Sequence, residues 1–339
     1  KTSYNDVLDL VTLTSEFEQK YSKLIDMFHE MRTLAKALKK QRDTKGSINF
    51  ETEEAYIILD EHGKTEDIKL RERGISENII EEFMLKANQV VAEHVHWLNL
   101  PFIYRVHEKP TAEKLGRLLK MSAALGYPVK AKTEISNFEL QKLLSSVEGT
   151  PAEKGVNLLT LRSMQKAIYS ELSLGHYGLN FKFYTHFTSP IRRYPDLMTH
   201  RMIKNILNNS SNATNKDNIE EICIDMSGLE RVAEKSSRQV TQQMICFFLK
   251  KHIGEEVNAV VTGVAEFGLF AEIQDFYVSG LIHVSDLSGD RYFLDKESNV
   301  LKGRKTGKSY KLGQSMLVTI ANVLPEERKI TLVPKNNKR

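Results

Sequence analysis

Apart from a short strand pattern at 55–70, the hydrophobic spacing of this chain changes once, at Gly254, and that change limits the folds open to it. Before Gly254 apolar residues recur every three or four positions, the period of a helix with one buried face. After it they alternate, the period of a strand with one buried face. The spacing predicts an α+β chain: a mixed, helix-rich domain over 1–252, then an all-β domain over 253–339.

In the first part a long amphipathic helix is predicted over Ser15–Arg42, with Phe17, Tyr21, Leu24, Phe28 and Met31 on its buried stripe. A short helix at Val7–Val11 precedes it. A hairpin follows, Ala55–Leu59 and Glu66–Leu70 around a turn at Glu61–Gly63. Ser76 is read as the N-cap of a helix reaching about Trp97. More helices are predicted over Thr111–Leu125, Phe138–Leu144, Pro151–Ser170, Leu197–Asn208 and Ile219–His252, with a polar linker over Asn208–Asn218. Beyond Gly254, strands around Val257–Val261, Phe267–Ile273, Gly280–Ser285, Met316–Val323 and Lys329–Val333 fit a five-stranded closed barrel of OB type.

Composition narrows the class. With 41% hydrophobic and 27% charged residues, the chain has the balance of a globular protein. No apolar run approaches a membrane span and no signal-peptide layout opens the sequence, so no membrane partner is expected, and the protein is read as cytoplasmic and monomeric. The two cysteines, Cys223 and Cys246, stand in apolar surroundings without metal-ligand spacing and read as reduced, buried thiols. The net charge of +4 is small, but basic residues crowd Lys302–Lys311 and Arg328–Arg339.

One segment concentrates chemistry. His186–Arg201 holds three arginines, two histidines, two prolines and an aspartate in sixteen positions. Pro190 bars a helix through Ser189, and Pro195 suits the first turn of the next helix. Arg192 and Arg193 therefore sit in a stiff loop that feeds a helix N-terminus, a place that favours anions. Two readings are equally open. The guanidiniums grip a phosphate, or they pair with buried carboxylates and only hold the loop. Upstream, Glu81 and Asn88 are seven apart and share a helix face, so this polar line is satisfied by neighbours or faces a cavity. His94 and His96 lie on different faces with no carboxylates clustered near them, so no metal role is expected.

His186–Arg201, with Gly175–Leu179 before it and Ile80–Asn88 further upstream, closely resembles motifs of the ribonuclease II / ribonuclease R family of hydrolytic 3′-to-5′ exoribonucleases. The resemblance implies that Arg192 contacts the RNA backbone near the scissile phosphate, with Arg193 beside it as an RNA-binding residue. It implies that Glu81 and Tyr4 position the RNA end and that Phe50 stacks on a base. Arg238, on the helix after the arginine motif, is read as facing RNA or, more readily, as half of a surface salt bridge. The run Phe267–Phe270, with Gly280–Ser285, resembles the S1-type RNA-binding domain. There Phe267, Phe270 and His283 would share the outer binding face, and Arg328 and Lys329 would meet the RNA backbone. Pro325 stands where members of that family often carry an acid.

The family's chemistry uses closely spaced aspartates that hold magnesium. No such spacing occurs here: Asp60, Asp67, Asp286 and Asp290 are too far apart. The expectation is the C-terminal portion of such an exoribonuclease, acting on single-stranded RNA to release nucleoside 5′-monophosphates and weak or inactive as a separate segment. The alternative is a non-catalytic RNA-binding or adaptor protein that keeps the scaffold and the S1 domain.

Overall fold

A computed structural model describes residues 22–48, 55–70, 74–129, 134–150, 152–208, 218–295 and 298–335. Tyr4, Phe50, the predicted helix at Val7–Val11, the start of the Ser15–Arg42 helix and the body of the 208–218 linker lie outside them. In chain order the helices are α1 Ile25–Thr44, α2 Ile75–Trp97, α3 Ala112–Ala124, α4 Asn137–Val147, α5 Glu153–Ser163, α6 Tyr194–Leu207 and α7 Ile219–Leu249. The strands are β1 Ala55–Leu59, β2 Thr65–Leu70, β3 Tyr104–Val106, β4 Ile168–Ser170, β5 Glu256–Ala265, β6 Gly268–Ile273, β7 Val278–His283, β8 Tyr292–Asp295, β9 Val300–Gly303, β10 Ser309–Tyr310, β11 Ser315–Leu324 and β12 Lys329–Pro334. They fall into two compact units. One combines Lys1–Asn49, Glu72–Lys109 and Gln165–Arg231; the other combines Phe50–Arg71, Pro110–Met164 and Val232–Arg339.

The first unit holds α1, α2, β3, β4, α6 and the first part of α7. Its α1 and α2 meet through Phe28, Ala35 and Ile79. Beside this contact the Arg42 guanidinium reaches Glu82 at 2.6 Å, with both side chains more than nine-tenths buried. Helix α2 starts earlier than predicted. Gly74, not Ser76, is its N-cap, because the Glu77 carboxylate accepts the Gly74 N–H at 2.9 Å and the Ser76 hydroxyl as well. A second core gathers Ala92, Val95, Phe102, Ile103, Tyr169, Met202 and Cys223. Burial pushes the Cys223 thiol up to about 12, which keeps it protonated and inert.

The helix predicted over Pro151–Ser170 ends at Ser163, and Ile168–Ser170 is instead a strand paired antiparallel with Tyr104–Val106. Distant partners take the backbone groups a helix would need. The Gln165 carbonyl accepts from the His107 ring at 2.9 Å, and the Tyr169 N–H donates to the Ser227 hydroxyl at 2.9 Å.

The second unit is built on a closed barrel in the order β11-β12-β7-β6-β5. The five predicted strands are all present. Their inward residues, among them Val261, Leu269, Ile273, Ile282, Ile320 and Leu332, form one core with Ile245, Cys246 and Leu249 from the end of α7. The β1–β2 hairpin adds Ile68 to it, and Asp60 ties its turn by accepting the His62 and Lys64 N–H groups. Between β7 and β11 lies an element the spacing did not predict, a three-stranded antiparallel sheet ordered β10-β9-β8. Its strands are two to four residues long, too short to show a period.

Candidate nucleic-acid interface

Helix α6 begins at Tyr194, with Arg193 as N-cap and Pro195 in its first turn. The preceding loop is folded by its own backbone: the Ser189 carbonyl accepts the N–H groups of Arg192 and Arg193 at 3.3 and 3.0 Å. Asp196 is fully buried and fixes this turn from inside. Its carboxylate accepts the Ser189 N–H at 2.7 Å and takes two hydrogen bonds from Arg193, Nε at 2.8 Å and Nη2 at 2.7 Å. The two readings of the arginine pair thus divide between its members. Arg193 is the structural one, neutralised by a buried carboxylate. Arg192 is exposed, and its guanidinium has no hydrogen bond or ion pair among the described residues. A full positive charge therefore stands free on a loop that cannot relax toward it. Ile191 beside it is 98% exposed, and Tyr194 is exposed as well.

The loop is held from both flanks. The Phe187 N–H donates to the Asn88 side-chain oxygen at 3.0 Å, and its carbonyl accepts from His200 Nε2 at 2.8 Å. The Phe187 and His200 rings stack at 4.2 Å. Asn88 also donates to the Tyr184 hydroxyl at 3.1 Å, so this buried amide is satisfied by neighbours. It binds α2 directly to the arginine loop, a role that sequence reasoning did not assign. Glu81 lies about 10 Å back along the same helix face, from the rise per residue. It is half-buried, and its side chain makes no hydrogen bond or ion pair among the described residues. Its neighbour Glu82 carries the structural pairing with Arg42.

Beneath the loop is a cluster of rings. His186 Nδ1 and the Tyr169 hydroxyl lie 2.8 Å apart, and the Arg105 guanidinium sits 4.6 Å over the Tyr169 ring while pairing with Glu230 at 2.7 Å. Burial, and then the charges of Arg193 and Arg105, pull the His186 imidazole down to about 2. Burial likewise lowers His176 to about 3 and raises the Tyr169 phenol to about 12. These groups are neutral at physiological pH and add no charge to the loop. The Gly175–Leu179 segment packs here too. His107 Nδ1 accepts the Gly178 N–H at 3.0 Å, and a side chain at residue 178 would come within 2.9 Å of that nitrogen.

His96, which the spacing kept from any metal role, packs against Phe183 at 4.1 Å. Arg238 forms the expected surface pair, with Glu234 at 3.0 Å.

On the barrel, Phe267 and Phe270 are exposed and meet edge to face at 5.9 Å. Phe270 opposes Leu281 and Gly268 opposes His283 in the β6–β7 ladder, so strand alternation puts Phe270 and exposed His283 on the same outward face. Gly268 between them has φ +155°, and a Cβ there would fall 2.1 Å from the Ile282 carbonyl oxygen. The shelf between the rings and His283 must therefore stay bare. Arg328 occupies the left-handed turn before β12, and its carbonyl accepts from Gln242. Lys329 is exposed and pairs with Glu327 at 2.6 Å. Pro325 is buried in the short turn between β11 and β12. Among the described residues no group of three His, Cys, Asp or Glu side chains is placed to hold a metal.

Residues 1–209 match the RNB domain family, and residues 250–333 match the S1 RNA binding domain. Ribonuclease R of Thermotoga maritima is 41% identical over 303 residues, covering 87% of this chain and 42% of that protein. Ribonuclease R of Aquifex aeolicus is 37% identical over 332 residues, covering 97% of this chain and 47% of that protein. The structure of Mycoplasma genitalium RNase R in complex with ribose methylated single-stranded RNA superposes with a TM-score of 0.91 at 26% identity, over 98% of this chain and 53% of that one. The chain thus spans less than half the length of these two curated relatives.

Proposed function

The chain belongs to the RNB family, and from that premise we propose that it serves a hydrolytic 3′-to-5′ exoribonuclease, which shortens single-stranded RNA to nucleoside 5′-monophosphates. The observation that carries the reading is the division of labour in the arginine loop. Arg193 is locked to buried Asp196, while Arg192 offers an unneutralised guanidinium from a rigid turn. Hydrolysis at phosphorus builds negative charge on the phosphoryl oxygens as water enters opposite the departing 3′ oxygen. A preplaced guanidinium stabilises that charge without having to reorganise.

In this reading Glu81 accepts from the 2′-hydroxyl of the terminal nucleotide, a contact open to RNA and closed to DNA. Tyr4 orients the end and Phe50 stacks on a base. Phe267, Phe270 and His283 hold the incoming strand, with Arg328 and Lys329 near its path. Base stacking on exposed rings is tolerant of sequence, as a degrading enzyme requires. The working division is 1–252 for chemistry and 253–339 for strand capture, in a monomeric, cytoplasmic protein. Magnesium is the implied cofactor. The described residues do not fit it, so no step above runs through a metal.

The full-length protein, given single-stranded RNA labelled at its 5′ end, should produce a ladder shortening steadily from the 3′ end. Internal cuts, or an intact substrate, would refute the reading. Residues 1–339 alone should bind that RNA without consuming it. Mononucleotide release by this segment with magnesium, stopped by a chelator, would overturn the claim that it is inactive by itself.

A further inference from the structure

The basic run Lys302–Lys311 has no part in the site described above. Between Asp290 and Lys311 stand seven basic and three acidic residues, a net charge of +4, as large as that of the whole chain. The charge is carried on the β8–β10 sheet. Arg291, Arg304, Lys305, Lys308 and Lys311 are all exposed, and none has an acidic partner among the described residues. Lys302 is excepted, since it reaches Asp295 at 2.6 Å.

The loop bearing these cations is built rather than loose. The Asp290 carboxylate accepts from the N–H groups of Arg291, Lys305 and Thr306 at 2.7, 2.8 and 2.7 Å, and from the Thr306 hydroxyl at 2.8 Å. Those bonds, chiefly from Thr306, hold the carboxyl at about 2. Gly303 makes room for it: a Cβ there would lie 2.5 Å from Asp290 Oδ2. The one acid at the centre of the loop is thus spent on main-chain donors and the Thr306 hydroxyl, and the side-chain cations keep no acidic partner among the described residues, Lys308 lying 5.2 Å over the Tyr310 ring.

The sheet also starts in a telling place. It follows β7 directly after His283, through the turn Val284–Asp286, and the Val284 N–H donates to the Phe267 carbonyl at 2.9 Å. It rejoins the barrel at β11, where Ser315 faces Val260. The cations thus spring from the barrel rim that carries Phe267 and His283. Cations without acidic partners on a fixed loop, in a sheet that leaves the barrel at the rim bearing Phe267 and His283, match the alternation of phosphate and base along one nucleic-acid strand.

We infer that the Arg304–Lys308 loop, with Arg291 and Lys311, is a second RNA contact that binds backbone phosphates of the strand whose bases rest on the Phe267–Phe270 face. This deepens the RNA-binding part of the proposed function and does not depend on hydrolysis. Its signature is electrostatic, because each phosphate neutralised releases counterions and steepens the salt dependence of binding.

The test is fluorescence anisotropy of residues 1–339 with a labelled single-stranded oligouridylate over a salt series, comparing wild type, R304Q/K305Q/K308Q and F270A. The triple variant should lose about tenfold in affinity at physiological salt, and its slope of log K against log salt should flatten by about 2. F270A should lose affinity with its slope unchanged. The triple variant should melt with wild type, because Asp290 grips main-chain groups that the substitutions leave in place. If it melts early, R304Q alone should still flatten the slope by about 0.7. Wild-type affinity and slope in both loop variants would overturn the inference while leaving the RNA reading standing. Absence of any RNA binding by the wild type would overturn both.

Discussion

Arg193→Ala removes the partner of a carboxylate that has no access to water, and Arg192→Ala removes a charge that has no partner. The first should cost about 3–5 kcal/mol of stability, because Asp196 would be left buried and uncompensated. The second should leave the unfolding free energy from urea denaturation within about 0.5 kcal/mol of wild type. In the full-length protein it should lower hydrolysis at saturating RNA by about ten- to a hundredfold, the value of one hydrogen bond between ionised groups. Unchanged turnover in Arg192→Ala would put the proposed centre elsewhere. The loop itself was legible from its prolines and the resemblance singled out Arg192, but the spacing alone did not divide the two tasks, and the structural one of Arg193 was not read. Two neighbouring residues of one type share every local pattern, and only Asp196, three positions on, separates them. Glu81 and Glu82 pose the same problem. Their difference rests on Arg42, forty residues upstream, and no periodicity reports a partner at that distance.

Elements were readable where a single buried face repeats over many residues. Helices α1 and α2, the two ends of α7 and the five barrel strands all meet that condition. They were misread where the backbone answers to distant groups. The 165–170 stretch left its helix because His107 and Ser227 claim its main-chain atoms. The β8–β10 sheet escaped notice because charge masks its short strands, although Asp290 and Gly303 were the local signals to find it by. A test at this scale falls on β6. Gly268→Ala would drive a Cβ into the Ile282 carbonyl from a backbone angle that side chains avoid, at a cost of about 3 kcal/mol or more. Chemical denaturation followed at the barrel measures it, and a wild-type midpoint would mean that the ladder can shift to admit the methyl group.

For the molecule as a whole, acid should be destabilising well before carboxylates protonate. His186 and His176 are neutral when native and take up protons only near pH 2 to 3. Once unfolded they protonate near 6.5. Between those values the unfolded chain holds more protons, so stability is complete above about pH 6.5 and falls as pH drops below it. The loss should reach about 1.4 kcal/mol per pH unit for each histidine. Denaturation midpoints taken from about pH 7.5 down to 5 should show this slope, and His186→Phe should flatten it; equal slopes would contradict the burial assigned here. The barrel has another whole-chain consequence. Strand β12 closes it by lying parallel to β7, with Thr331 opposite Leu281 some fifty positions earlier in the chain. On a ribosome, four strands would wait as an open sheet with two bare edges, β11 and β7, until Leu332 and its neighbours emerged. During synthesis the nascent protein is therefore most exposed to aggregation just before this stretch leaves the exit tunnel.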